Sequence, residues 1–407
     1  MTHKFSQIGI IFFALVVVLI CCKQKPVSAD KVRFAPADFP SIADTLSNLK
    51  IEWGNGERKL SHDVYFAEYG RIRRIAGDTL AMVYHFGSKG NEWDNIALRK
   101  STDNGKSWSH VKTVVADVWP KRYSGFSTPE LLVLQNKWLL LAYTGRGVPD
   151  DSLHNNLQFR ISKDRGATWS KESIVAIGRS WEPGMVQLPD GEIQLFFANE
   201  LISNQAAKGR HEQKILLCTS RNNGQTWSKP KMIAFIPKVR DGMPVPLLLK
   251  NNKGVVVAME SVENHHSPEL VWTSIAAKWN YEKIADLDNG RRWYGSIDPI
   301  WGGGPYLVQM PTGETIIAMQ TEGGRKIDRY KGWKKNTVVV MTGNSVAKNF
   351  SNPTFPYPNL PLHEGRYFCS LFVKDKNTIV LISTRNGKDG RSSLYWKEGT
   401  VKRGVAR

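Results

Sequence analysis

One eight-residue pattern occurs three times in the 407-residue chain and limits its fold more than any other feature. The copies run from Ser101 to Trp108 (STDNGKSW), from Ser162 to Trp169 (SKDRGATW) and from Ser220 to Trp227 (SRNNGQTW). All read Ser-x-Asp/Asn-x-Gly-x-Ser/Thr-Trp, and their first serines stand 61 and 58 residues apart. The chemistry of the pattern is local. Asp or Asn caps a turn through its side chain, Gly takes a positive φ, and Trp packs back on the hairpin that the turn closes. A β-rich run precedes each copy (IALRK, LQFRI, ILLCT), so each pattern is a turn between two strands. A constant period of this length marks a repeat architecture, in which each unit is one supersecondary element.

These octapeptides are Asp-boxes, and through them the chain resembles the sialidase superfamily of β-propellers. The resemblance implies an all-β fold, a six-bladed β-propeller with Asp-box turns on its rim. Residues 39–407 divided by about 60 per repeat give the same number. Short runs punctuated by Gly, Pro, Asn and Asp continue to the C-terminus, as in YLVQMPTGETIIAMQ and TIVLIST. The last strand (SSLYWKE) is expected to close the ring beside an N-terminal one, which removes open edges. Trp108, Trp169 and Trp227 are then structural.

The N-terminus is a separate object. Lys4 precedes the apolar run Ile8 to Cys22, which has the layout of a secretory signal. The run ends in Leu19-Ile20-Cys21-Cys22 and resembles a bacterial lipobox, with Cys22 as the lipidated residue, although a lipobox usually has Gly, Ala or Ser where Cys21 stands. Simple cleavage and an uncleaved anchor are the alternatives. Residues 1–22 are therefore expected to be a signal peptide, 23–38 a polar tether, and 39–407 one propeller domain. The expected location is outside the cytoplasm, on a membrane through a lipid anchor. Cys218 and Cys369 remain in the mature chain, both in apolar runs, and read as buried free thiols or a disulfide.

Lys plus Arg exceed Asp plus Glu by 56 to 37, a net charge of +19. Such a surface favours anionic partners, yet no nucleic-acid-binding signature is present and nucleic acid is not an expected partner. No CxxC, HExxH or EF-hand pattern signals a metal, and no cofactor is expected. The chain reads as a monomer acting on an oligo- or polysaccharide.

In a propeller, groups from different blades converge on the axis. Ser180-Trp181-Glu182-Pro183-Gly184 places a carboxyl between Trp and Pro just before a strand. The Trp favours a raised carboxyl pKa through desolvation, and Pro is expected to hold Glu182 extended. Its WEP form resembles glycoside hydrolase family 93, the exo-acting arabinanases. Gln213, ahead of the third Asp-box, and Arg240-Asp241-Gly242-Met243-Pro244 continue the likeness, with Asp241 where that family usually has Pro. In family 93 a Glu after a comparable strand pairs with the WEP Glu, and Glu260 matches it. The resemblance thus implies a catalytic pair, with Glu182 taken as nucleophile and Glu260 as acid/base. One neutral acid and one carboxylate are what a glycosidase needs.

The sialidase likeness implies other roles. Arg71, in EYGRIR, matches an arginine that meets the substrate. Asp94 matches an acid/base Asp and reads equally as a turn residue. Tyr367 matches a nucleophile that Glu182 would activate, with Arg366 beside it. The usual Arg-Ile-Pro is Arg71-Ile72-Arg73 here. Trp181, Gln213, Arg240 and Tyr306 complete the expected substrate-binding set. The expected function is exo-acting retaining glycoside hydrolysis, arabinanase-like. Exo-α-sialidase and a non-catalytic glycan-binding propeller are the alternatives.

Overall fold

A computed structural model describes residues 45–62, 64–88, 91–116, 122–150, 153–200, 212–262, 268–323, 325, 333–387 and 390–404, with Lys31, Arg33, Phe34 and Phe39 ahead of them. The signal segment and Cys22 lie outside the described residues.

Strands β1 (Leu49–Trp53) and β2 (Arg58–Lys59) come first. Five four-stranded antiparallel sheets follow in sequence order. The first blade holds β3 (Phe66–Ala76), β4 (Thr79–Ser88), β5 (Asn91–Ser101) and β6 (Lys112–Val115). The second holds β7 (Tyr123–Val133), β8 (Leu139–Gly147), β9 (Asn156–Ser162) and β10 (Ser173–Ile177). The third holds β11 (Ser180–Gln187), β12 (Ile193–Glu200), β13 (Gln213–Ser220) and β14 (Lys231–Ala234). The fourth holds β15 (Asp241–Leu248), β16 (Val255–Ser261), β17 (Glu269–Thr273) and β18 (Arg292–Tyr294). The fifth holds β19 (Gly303–Gln309), β20 (Thr315–Thr321), β21 (Thr337–Gly343) and β22 (Ser351–Thr354). The sixth is built from β23 (Gly365–Val373), β24 (Thr378–Asn386) and β25 (Ser392–Arg403), completed by β1 and β2 from the other end of the chain. Leu49 pairs Arg403 and Trp53 pairs Gly399, so the ring closes by hydrogen bonds and the expected six-bladed all-β propeller is the observed one.

The three Asp-boxes are superimposable in their bonding. Gly105, Gly166 and Gly224 each donate their N–H to the first serine of the box, at 2.8, 2.7 and 2.9 Å. Asp103, Asp164 and Asn222 each accept the N–H four residues on, at 2.9, 2.8 and 2.9 Å. Two successive residues are left-handed in every box, ending on the glycine (φ 84, 87 and 85). A Cβ on Gly105 would lie 2.6 Å from Trp396 of the sixth blade, so the glycine also lets neighbouring blades touch. Trp108, Trp169 and Trp227 pack into the apolar layers between blades.

Cys218 and Cys369 are buried and unpaired. Phe34, in the expected tether, lies 5.9 Å from Tyr281, and Phe39, the first residue of the expected propeller domain, lies 4.9 Å from Trp272, ring to ring, against the fourth blade. Two phenylalanines make that stretch less polar than its neighbours, and burying their rings favours contact.

The inner strands carry a second repeat. All six share one equivalent slip of register against their partner: between Glu68 and Arg71, Ser127 and Glu130, Trp181 and Gly184, Gly242 and Val245, Gly303 and Tyr306, and Tyr367 and Ser370; the first two blades have a second slip each. Each bulge begins with a left-handed residue, namely Tyr69 (φ 61), Thr128 (49), Glu182 (58), Met243 (50), Gly304 (53) and Phe368 (44). Non-glycine residues hold such angles at a strain of roughly 1–3 kcal/mol each, and only when surroundings enforce them. The expectation that Pro183 keeps Glu182 extended is therefore corrected. Thr128, Met243 and Gly304 also precede proline, so the left-handed residue before proline is part of the bulge itself.

Candidate active site

The bulge turns six backbone N–H groups towards the preceding blade, and each finds an acceptor there. Tyr69 donates to Thr384 Oγ1 (3.3 Å), Thr128 to His85 Nδ1 (3.3 Å) and Glu182 to Thr128 Oγ1 (3.3 Å). Met243 donates to Glu182 Oε2 (2.8 Å), Gly304 to Glu260 Oε2 (2.7 Å) and Phe368 to Gln320 Oε1 (3.2 Å). One bond crosses every blade junction, forming a closed ring about the axis. Buried backbone donors require such partners.

Threonine, histidine and glutamine side chains do this work at four junctions. Carboxyls do it at two adjacent ones, Glu182 and Glu260. Glu182 reaches the Met243 N–H from the bulge of the third blade because the second-strand position there is Ala198, which has no acceptor. Glu260 sits on β16 opposite Gly242. A Cβ on Gly242 would stand 3.2 Å from its Oε1, and a Cβ on Gly303 would stand 3.1 Å from its Oε2. Two glycines thus hold open the slot that the carboxyl fills.

Burial, and next the charge of Glu260, push the Glu182 carboxyl up to about 8, against the Met243 N–H and Arg240. Burial raises Glu260 as well, against the Gly304 N–H and Arg240. Two carboxyls so placed resist carrying two charges, and together they retain one proton through neutral pH.

Arg240 is the cation that acts on both. Its guanidinium is 3.2 Å from Glu200 Oε1, whose other oxygen takes Arg179 Nε at 2.5 Å. Gln213 Nε2 also reaches Glu200 Oε1, at 3.4 Å. Glu182, Glu260, Gln213 and Arg240 are thereby brought together as the sequence suggested. Trp181 is half-buried on the same stretch, with Arg179 5.3 Å and Arg146 5.9 Å from its ring. Asp241 turns inward, where both its oxygens take Arg292 at 2.8 Å and Ser261 Oγ donates at 3.1 Å. Glu269 binds the same guanidinium, and Asp241, Glu269 and Arg292 have no exposed side-chain surface.

The residues suggested by the sialidase likeness lie elsewhere. Arg71 is 1% exposed, 3.4 Å from Glu130 Oε2 and 3.7 and 4.9 Å from the rings of Tyr69 and Tyr306. Tyr306 is 2% exposed. Arg71, Glu130 and Tyr306 occupy matching places just past the bulge and form a buried axial cluster rather than a substrate-facing one. The extra residue of a bulge reverses which positions face which side, which places both residues in this cluster. Tyr367 has no exposed surface, and its hydroxyl donates to Glu68 Oε1 at 2.9 Å, not to Glu182. Burial and then Glu68 raise its pKa further above the usual phenol range. Arg366 is buried against Glu57, at 2.7 and 2.9 Å. The described arginines do not converge on Tyr367. Asp94 belongs to β5, two strands from the axis, and its side chain lies outside the described residues.

Sequence reasoning passed over Glu68, His85, Thr128 and Glu130. Three Pro-marked bulges besides the Trp-Glu-Pro one (Thr128-Pro129, Met243-Pro244, Gly304-Pro305) carried the alignment that exposes them.

Residues 55–360 match the BNR repeat-like domain. No curated protein sequence matches the chain significantly. Among solved structures, a protein of unknown function from Dyadobacter fermentans is similar at 14% identity, TM-score 0.64, covering 86% of this chain and all of that one. A GH93 α-L-arabinofuranosidase of Fusarium graminearum, solved with arabinobiose, aligns at 19% identity and TM-score 0.59 over 85% and 96% of the two chains. A sialidase from Streptococcus pneumoniae aligns at 11% identity and TM-score 0.60, over 84% and 70%. At these identities the structures speak for a shared fold. The family match spans most of the chain, includes all three Asp-boxes and both glutamates, and agrees with the six-bladed ring: this protein belongs to the BNR repeat-like domain family.

Proposed function

We propose that the protein is an exo-acting glycoside hydrolase whose reaction centre is the Glu182–Glu260 pair, and that it trims the non-reducing ends of an arabinan-like glycan with retention of configuration. One observation carries this reading. Four junctions of the ring satisfy the bulge N–H with a group other than a carboxyl, so the fold has no need of a carboxyl there, yet two adjacent junctions use one at the expense of partly desolvating it. A carboxyl pair sharing one proton supplies both groups that glycosidic cleavage requires: an acid for the leaving oxygen and a carboxylate for the anomeric carbon. The likeness to arabinan-acting enzymes of the same fold supports the substrate class.

The sequence order of roles, Glu182 as nucleophile and Glu260 as acid/base, needs the shared proton on Glu260 when substrate is bound. In the empty site, burial and the charge of Glu260 hold it on Glu182. The test is incubation with arabinan, arabino-oligosaccharides and sialosides, reading released sugars by chromatography. Parent protein should release sugars from chain ends, and Glu182→Gln and Glu260→Gln should not. Binding of glycans without release would instead mark a lectin-like propeller.

A second reading rests on the Tyr367–Glu68 hydrogen bond, a tyrosine–carboxylate pair of the kind that sialidase chemistry uses. It requires sialoside cleavage that fails in Tyr367→Phe. We also propose export and lipid anchoring at Cys22. Membrane fractionation of a Cys21→Ser/Cys22→Ser double variant checks it, with release from the membrane expected and retention contradicting it.

A further inference from the structure

In the third and fourth blades the bulge N–H acceptor is itself the left-handed residue of the preceding bulge, Thr128 for Glu182 and Glu182 for Met243, so the two bonds form a relay that ends at the Glu182 carboxyl. Glu182 N–H donates to Thr128 Oγ1. Thr128 and Thr144 hydroxyls are 3.0 Å apart, and Thr144 Oγ1 is 3.3 Å from the Ser180 carbonyl. Proton directions in this chain are fixed from its far end. A carbonyl can only accept, so Thr144 donates its hydroxyl proton to Ser180 O. Thr144 Oγ1 then accepts from Thr128, which leaves a Thr128 lone pair for the Glu182 N–H. The sequence of bonds is Glu182 N–H to Thr128 O–H to Thr144 O–H to Ser180 C=O. It leaves the Ser180–Glu182 stretch and returns to it through the second blade.

We propose that Thr128 and Thr144 are positioning residues for the reaction centre, holding Glu182 in its left-handed conformation so that its carboxyl reaches the Met243 N–H; this rests on the catalytic reading of Glu182 given above. The Glu182 N–H finds its acceptor in the Thr128 hydroxyl. Ala198 stands where His85, Glu260, Gln320 and Thr384 serve the other junctions, so the third blade's own second strand cannot orient the bulge of Glu182's neighbour. Thr144 has no exposed surface, which makes its single orientation rigid. Thr128 is itself left-handed (φ 49), an uncommon angle for a β-branched residue, and its hydroxyl is the group that this angle delivers to the junction.

Thr128→Val keeps shape and branching and removes only the hydroxyl, and Thr128→Ser restores the hydroxyl. With the cleavable glycan as substrate, Thr128→Val is expected to lower kcat roughly tenfold with KM unchanged, the scale of one lost orienting hydrogen bond. Thr128→Ser should recover it. The second readout needs no activity. In protein labelled with 15N-methionine, the Met243 amide proton should titrate as Glu182 ionises, near pH 8, and Glu182→Gln should abolish that titration. Thr128→Val should lose most of the same titration, and Thr128→Ser should keep it.

A Thr128→Val protein with parental kcat, or one whose Met243 titration is intact, overturns the proposal. A rise in KM at constant kcat overturns it too, because Thr128 would then be a substrate contact. Unimpaired turnover by Glu182→Gln sinks the catalytic reading alone, and the amide titration still decides whether the threonines position Glu182.

Discussion

Replacing Glu260 separates its two roles. Gln keeps the size of the side chain and an oxygen that accepts the Gly304 N–H, now 2.7 Å from Oε2. The ring bond persists in a neutral form, weaker by about 1 kcal/mol, while the penalty for a partly desolvated charge disappears. Net stability should change by no more than about 1 kcal/mol. Gln cannot ionise or donate an acid proton, so turnover should fall by roughly 10²–10⁴-fold. Ala removes the acceptor as well. The Gly304 N–H is then left unsatisfied at a buried junction, a loss of about 1–3 kcal/mol. For a chain of this size that corresponds to a Tm lower by about 1–4 °C. Initial rates on the cleaved glycan and thermal melts of the three proteins make the comparison. The reasoning is refuted if Glu260→Gln keeps more than about a tenth of parental turnover, or if the Ala variant melts with the parent.

Three further outcomes follow. Glu182 has a folded pKa near 8, while an unfolded glutamate titrates near about 4.3. Between those values the folded chain holds a proton that the unfolded chain has released, so this group makes the parent less stable as pH rises through that window. Glu182→Gln should flatten that part of the Tm–pH curve from pH 5 to 8, and identical slopes would show that Glu182 is ionised in the folded state. Arg292→Met strands the buried Asp241 and Glu269 charges and should destabilise by about 3–5 kcal/mol in chemical denaturation; a change below about 1 kcal/mol would mean that water reaches the triad. Tyr367→Phe removes a hydroxyl committed to Glu68, so arabinan cleavage should stay within about threefold of the parent, and collapse of that activity would transfer the chemistry to tyrosine.

The fold was legible because Asp-boxes are local: serine, Asp/Asn, glycine and tryptophan within eight residues make one turn, whatever the rest of the chain does. In the fourth blade the turn survives with other residues. Trp279 donates its N–H to Thr273 Oγ1 at 2.7 Å, six residues back instead of four, and Lys278 and Trp279 are left-handed, so a longer turn keeps the hydroxyl–N–H bond and the left-handed pair where the letters do not persist. Glu182 stood out because a carboxyl set between Trp and Pro has few structural explanations, and Glu260 was suggested by the family 93 resemblance alone. The inner ring was not legible. Its bonds join residues such as Tyr69 and Thr384, 315 positions apart, and no local pattern reports them. Arg71 and Tyr306 were misplaced for a related reason. Both follow a bulge, whose extra residue changes which side the next positions face, and a family resemblance in a short segment does not report that change.

The central claim, that the carboxyl pair performs retaining hydrolysis, is tested most directly by trapping. A 2-fluoro arabinosyl donor with a good leaving group slows breakdown of a glycosyl-enzyme, and peptide mapping by mass spectrometry then locates the sugar. The account predicts one adduct per chain, on Glu182 or Glu260, absent from the variant in which that residue is Gln. An adduct on Tyr367, or steady turnover of the donor with no adduct on either glutamate, would contradict it.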